Sequence, residues 1–230
     1  SVELKRTAGD FLSSLDFFSE IGLGMVEAQL PKLRNPLSAR CMLYMVVELS
    51  SSADTFDIDA LLQTALEGLL DQGVVSDAVL ARSKAQQEEV WSLREEIPEA
   101  QRLGGPQLKH DIAVPASCLP VFMHVVQTEL DEILPGGVVN AFGHLGDGNV
   151  HFNLSPPRQA ADFSGKEALL SECVYRHAEL AGGSFAAEHG LGRQKVSTAD
   201  ALRSSEERTM MRAIQRAFDP DAIMNSGCSV

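Results

Sequence analysis

VVNAFGHLGDGNVHFNLS, residues 138–155, holds two apolar runs separated by Asp147-Gly148. An Asp-Gly pair between such runs is a strong short-range hairpin signal, because both residue types accept the positive φ of a two-residue turn. With Asp147-Gly148 as that turn, Gly146 faces Asn149, Leu145 faces Val150 and His144 faces His151. Directly opposed residues project from one face with Cβ atoms about 4.5–5.5 Å apart, near enough for two imidazoles to share a divalent metal. The side-chain period of two puts Asn153 on the His151 face. A slip of one residue would part the rings. The plainer alternative is a polar hairpin with both histidines in solvent. The glycines around the pair, which let another backbone or a ligand approach closely, favour metal binding.

The segments on either side alternate between strand and helix signals. Residues 9–20 read as a helix, and the stretch to about 39 is mixed. CMLYMVVELS (41–50) is a strand-length apolar run, and DIDALLQTALEGLLDQG (57–73) repeats Leu at helical spacing before the stop at Gly73. SDAVLARS (76–83) reads as a strand, 84–100 as a long helix broken near Pro98, and LKHDIAVP (108–115) as a half-buried strand. Residues 117–134 form the next helix, stopped by Pro135-Gly136-Gly137. Further helices are expected over about 162–181 and 203–217, with a Gly-rich loop, AGGSFAAEHGLGRQK, at 181–195. Strand–helix–strand thus occurs at 41–82 and again at 108–144. Two such units fold together as an α+β, ferredoxin-like antiparallel sheet with helices on one face, here with additional C-terminal helices.

A formal net charge of -13 with only 19 basic residues, none of them in a run, argues against nucleic acid as a partner. No apolar run reaches the ~18 residues of a transmembrane segment. Residues 1–20 lack the apolar core and cleavage site of a secretory signal. Cys41, Cys118, Cys173 and Cys228 are widely spaced without a CxxC pair, which suits free thiols in a reducing cytoplasm. The chain lacks an initiator Met, so a preceding domain is expected.

A third ligand for the two histidines is offered by Glu188, in the Gly-rich loop where functional side chains commonly sit. Two His and one carboxylate leave open positions for substrate and fit zinc first, with iron or manganese also compatible. Glu188 reads equally well as a solvated loop acid. Arg94 and Lys109 would converge on a carboxylate if their helix and strand packed side by side. From pattern alone the preferred reading pairs Arg94 with a nearby acid and leaves Lys109 solvated. GHLGDGN and GLGRQK look like fragments of nucleotide loops, but neither has the required strand-to-helix setting.

WSLREEIPEA, LKHDIAVP, FGHLGDGNVHFN, AAEHGLGRQK and FDPDAIMNSG, in this order, resemble the C-terminal domain of FAD-linked oxidases of the D-lactate dehydrogenase, glycolate oxidase and D-2-hydroxyglutarate dehydrogenase group. The resemblance implies that residues 1–230 are the substrate- and metal-binding domain of a flavoprotein whose FAD-binding domain precedes residue 1. It implies oxidation of a D-2-hydroxy acid to the 2-oxo acid, and a fragment inactive without its flavin domain. It matches His144, His151 and Glu188 to metal ligands, and Arg94, Lys109 and Asn153 to substrate-binding positions. His189 is matched to the residue taking the hydroxyl proton, and Asn225 to a segment close to the flavin. An electron-acceptor protein or a quinone is the further partner it implies. Two departures are visible: Ser226-Gly227-Cys228 replaces the usual Pro-Gly-Lys after Asn225, and Pro98 stands where 2-hydroxyglutarate-specific members tend to carry a hydroxyl residue. The alternative to an enzyme is a flavin-free metal- or carboxylate-binding subunit.

Overall fold

The computed structural model describes residues 2–53 and 55–228. The elements run α1 (Val2–Ala8), a 3-10 turn (Gly9–Phe11), β1 (Leu12–Ser19), α2 (Glu20–Gln29), β2 (Leu43–Leu49), α3 (Ile58–Asp71), α4 (Lys84–Glu95) and α5 (Ile97–Leu103). They continue with β3 (Leu108–Ala113), α6 (Leu119–Ile133), β4 (Val138–His144), β5 (Asn149–Ser155), α7 (Glu167–Leu180), α8 (Val196–Leu202) and α9 (Ser205–Phe218). The strands form one antiparallel sheet in the order β2-β1-β4-β5-β3, an α+β architecture as expected, but with helices on both faces of the sheet rather than on one. Both β3 and β4 run antiparallel to β5, so β3-α6-β4 is a split β-α-β unit with β5 inserted between its strands.

One sheet face packs under α6 and α7, with Phe17, Ile112, Ala141, Val150, Phe152 and Leu154 meeting residues such as Phe122, Val126, Leu170 and Val174. The same face meets α1 and α3 through Leu15, Leu4, Ala65 and Leu69. On the other face α2, α4 and α5 cover Phe18, Tyr44, Val46 and Phe142 with Leu23, Val26, Leu93, Ile97 and Ala100. These three helices leave the β3 side of that face to polar residues. Ser19 ties the arrangement together: its Oγ caps α2 by accepting from Gly22 N, and donates to Asn140 Oδ1 on β4 at 2.8 Å.

Two expectations need correction. Residues 12–19 of the expected helix 9–20 are the strand β1, lying between β2 and β4. Leu15, Asp16, Phe17 and Phe18 are all buried, because a strand covered on both faces does not alternate. Residues 76–83 form no strand, so β2 pairs only with β1, and Asp77 instead accepts from the backbone N–H and hydroxyl of Ser38. The helix over 84–100 is broken near Pro98 as expected: it divides at Glu96, and Pro98 sits in the first turn of α5, where its missing N–H costs nothing.

The hairpin register also differs. His144 pairs with Asn149 and His151 with Phe142, so the turn spans residues 145–148. Competing hydrogen bonds open it: Leu145 N donates to Leu15 O, and Val114 N to Gly148 O. Gly148 has φ 82°, and a Cβ there would lie 2.4 Å from Val114 O, so only glycine fits this crossing. The displacement moves His144 two residues relative to its expected partner. An even shift keeps both histidines on one face.

Candidate functional site

The polar part of the sheet face is built on two buried aspartates. Asp16 lies on β1, opposite His144 across the β1–β4 pairing, and Asp111 on β3 faces His151 on β5. Asp16 Oδ1 is 2.9 Å from His144 Nδ1, while its Oδ2 is 3.0 Å from Arg94 Nε, which reaches down from α4. Arg94 is buried, with its guanidinium 4.9 Å over the Phe142 ring. Burial pulls its pKa below the arginine range, against the opposing charge of Asp16.

Asp111 places the Gly-rich loop. After α7 the chain runs back along β3: Ala113 and Ser184 exchange both backbone hydrogen bonds at 2.8 Å. At Gly183 a Cβ would lie 1.9 Å from Ala113 O, so the two backbones meet at a distance only glycine allows. Asp111 Oδ2 then accepts the backbone N–H groups of Glu188 and His189, both at 2.8 Å. Lys195 Nζ pins the far end of the loop by donating to Phe185 O and Asp111 O.

These contacts bring three predicted residues together. His144 Nε2 is 4.0 Å from Glu188 Oε1, the His144 and His151 rings are 6.4 Å apart, and His151 Nδ1 is 3.9 Å from Asp111 Oδ1. His189 stacks on His151 at 6.2 Å, with Nδ1 3.6 Å from Asp111 Oδ2. Side-chain exposure separates two layers: Asp16, Asp111 and Arg94 are 5–8% exposed, whereas His144, Glu188 and His189 are 43–69% exposed. The buried layer holds the donors, and the open layer is accessible to a ligand.

Imidazole and carboxylate are donor types that a divalent ion takes, but among the described residues the donor atoms of His144, His151 and Glu188 do not all come within 4.8 Å of one another. Imidazole must be neutral to ligate, and burial lowers the His151 pKa, against the attraction of Asp111. With Nδ1 of His144 facing Asp16, the nitrogen left free is the one facing Glu188. Asp111 Oδ1 is buried without a hydrogen-bond partner beside His151, an orphaned acceptor at the edge of this group.

The other predicted positions lie farther out. Lys109 is exposed on β3 opposite Asn153 and, among the described residues, forms no ion pair, so no contact joins it to Arg94. Asn153 does share the His151 face. It is buried, donates to Gln101 Oε1 at 3.0 Å and accepts from His110 N. Asn225 is exposed near the C-terminus with φ 49°, its carbonyl accepting from Cys228 N. Asp16 and Asp111 were not singled out in the sequence. Asp111 had a legible signal, since it shares the strand parity of Lys109; Asp16 lay in a segment read as helix.

Among the described residues, the three potential ligands whose donor atoms all lie within 4.8 Å of one another are Glu129, Cys173 and His177. There Arg176 donates to both Glu129 oxygens at 2.6 and 2.8 Å, and His177 Nε2 lies 2.8 Å from one of them. Burial, reinforced by Glu129, pushes the Cys173 thiol up to about 12. The carboxylate is already satisfied, as in a polar contact between α6 and α7.

The α+β domain thus carries two imidazoles and a carboxylate beside a buried guanidinium on one face of its sheet. Residues 2–228 match the family described as FAD linked oxidases, C-terminal domain, and the chain belongs to that family. It is 33% identical to the mitochondrial D-2-hydroxyglutarate dehydrogenase of Arabidopsis thaliana, over 97% of this chain and 39% of that protein. It is 32% identical to the D-2-hydroxyglutarate dehydrogenase of Stutzerimonas stutzeri, over 98% and 47%. The chain therefore spans less than half the length of these relatives. A 4-ethylphenol oxidase from Gulosibacter chungangensis, solved as its isoeugenol complex, superposes with a TM-score of 0.57 at 13% identity, covering 94% of this chain and 47% of that one, and supports the fold alone. Among the described residues no helix is long and apolar enough to cross a membrane.

Proposed function

We propose that this chain is the substrate- and metal-binding part of an FAD-dependent dehydrogenase that oxidises a D-2-hydroxy acid to the 2-oxo acid. The observation that carries this reading is the placement of Glu188 4.0 Å from His144 Nε2, on the sheet face that also buries Arg94. The names of the relatives make D-2-hydroxyglutarate the first substrate to test. The FAD-binding domain would precede residue 1, with an electron-acceptor protein or a quinone as a further partner. Four free cysteines suit a reducing compartment, either the cytoplasm or, as the Arabidopsis relative's name has it, the mitochondrion.

His144, His151 and Glu188 would hold a divalent ion, zinc first, and such an ion lowers the pKa of a hydroxyl bound to it. The flavin supplies the redox chemistry, and this domain supplies position. Arg94, fixed by Asp16 and Phe142, binds the substrate carboxylate, and Lys109 approaches it from the open edge of the sheet. Asn153, held by Gln101, contributes its amide on the same face. His189 takes the hydroxyl proton as general base, and its exposure gives that proton an exit to solvent. Asn225 belongs to the segment that would meet the flavin domain.

The test is anaerobic reduction of the flavin in the full-length enzyme. D-2-hydroxyglutarate should bleach the flavin while its L-enantiomer does not, and Arg94→Ala should raise KM by at least tenfold. If no D-2-hydroxy acid reduces the flavin, the proposal fails.

A further inference from the structure

Asp16 touches both halves of the site, His144 on one side and Arg94 on the other. It is buried at the centre of β1, its two oxygens facing different partners: Oδ1 the Nδ1 of His144, Oδ2 the Nε of Arg94. A carboxylate oxygen accepts hydrogen bonds, so the 2.9 Å contact favours the tautomer of His144 with its proton on Nδ1. The lone pair of His144 then lies on Nε2, the nitrogen directed at Glu188. Arg94 Nε lies 3.0 Å from Asp16 Oδ2 as an ion pair without the alignment of a hydrogen bond, and a guanidinium fork is the geometry that suits a carboxylate ligand.

We infer that Asp16 is a shared positioning residue, selecting the metal-binding tautomer of His144 and setting the direction of Arg94. This rests on the proposed metal- and carboxylate-binding site. Carboxylate partners of ligating histidines fix tautomer and ring orientation, and their loss typically weakens metal binding by about 10–100-fold. What distinguishes Asp16 is that its loss degrades cation binding and carboxylate binding together. His144→Ala, by contrast, removes a ligand and leaves the Arg94–Asp16 pair in place.

Two measurements test the inference. The first is the His144 tautomer in the metal-free chain by nitrogen-15 NMR, which needs no variant and is independent of any misfolding. The second is cobalt(II) binding by absorbance for the unaltered chain, Asp16→Asn and His144→Ala, with KM for D-2-hydroxyglutarate in the full-length flavoprotein. Expected are a proton on Nδ1, cobalt affinity lowered about 10–100-fold in Asp16→Asn, and KM raised in the same variant. A proton on Nε2, or Asp16→Asn binding cobalt within twofold of the unaltered chain, overturns the role of Asp16 while the proposed function stands. An unaltered chain that binds no cobalt overturns the metal reading, and the inference with it.

Discussion

Asp111 accepts the backbone N–H of Glu188 at 2.8 Å, so the proposed carboxylate ligand is located by its main chain rather than by its own side chain. Removing the anchor and removing the ligand should therefore differ. Asp111→Ala loses two hydrogen bonds to a charged acceptor and should destabilise the fold by about 3 kcal/mol. Glu188→Ala, at an exposed position, should change stability by less than about 0.5 kcal/mol. Urea unfolding of both variants, with limited proteolysis of the 183–195 loop, checks the contrast.

The Arg94–Asp16 pair is buried, and breaking it leaves a charge without its partner. Arg94→Met should cost about 3–5 kcal/mol, whereas replacing both partners with apolar residues should cost much less. A double-mutant cycle measured by urea denaturation gives the answer. Additive losses would mean that the two side chains do not depend on each other.

His110 faces away from the site, against Phe152 O and Ser171 Oγ, and burial pushes its pKa down from 6.5 to about 4. Between those values the unfolded chain binds a proton that the folded chain refuses. Stability should thus fall as pH drops through this window, by up to about 3 kcal/mol from this residue. The lowered pKa of His151 acts in the same direction. Unfolding free energies at pH 7 and pH 5 should differ accordingly, and His110→Asn should flatten the dependence.

Cys173 is buried with its thiol pushed up to about 12, while Cys41, Cys118 and Cys228 are partly exposed. The thiolate is the reactive form. A disulfide reagent at pH 8 should therefore modify those three in the native protein and reach Cys173 only after denaturant is added. Mass spectrometry of the labelled peptides identifies which thiol lags.

Much of the site was legible because strand parity survives errors of register. His144, His151 and Asn153 share a face in the two-residue turn and in the four-residue turn alike, since the two registers differ by an even step. Glu188 was legible as a loop acid between helices. What brings it home, the doubling of Gly183 and Ser184 back along β3, is a long-range pairing that no local pattern announces. β1 was misread because Phe11, Leu15 and Phe18 fall at helical spacing, while the burial of both its faces removes the alternation that marks a strand. With β1 went Asp16, and with Asp16 the reason Arg94 is buried. The plainer reading of Arg94 was right that it pairs with an acid, but the acid comes from the far end of the sequence.

The central claim is that His144, His151 and Glu188 form one cation site. The most direct test is the metal content of the purified chain by elemental mass spectrometry, beside His144→Ala and Glu188→Ala. The account predicts near-stoichiometric zinc, iron or manganese in the unaltered chain and its loss from both variants. Metal retained by both variants, or none bound by the unaltered chain after reconstitution, would contradict it.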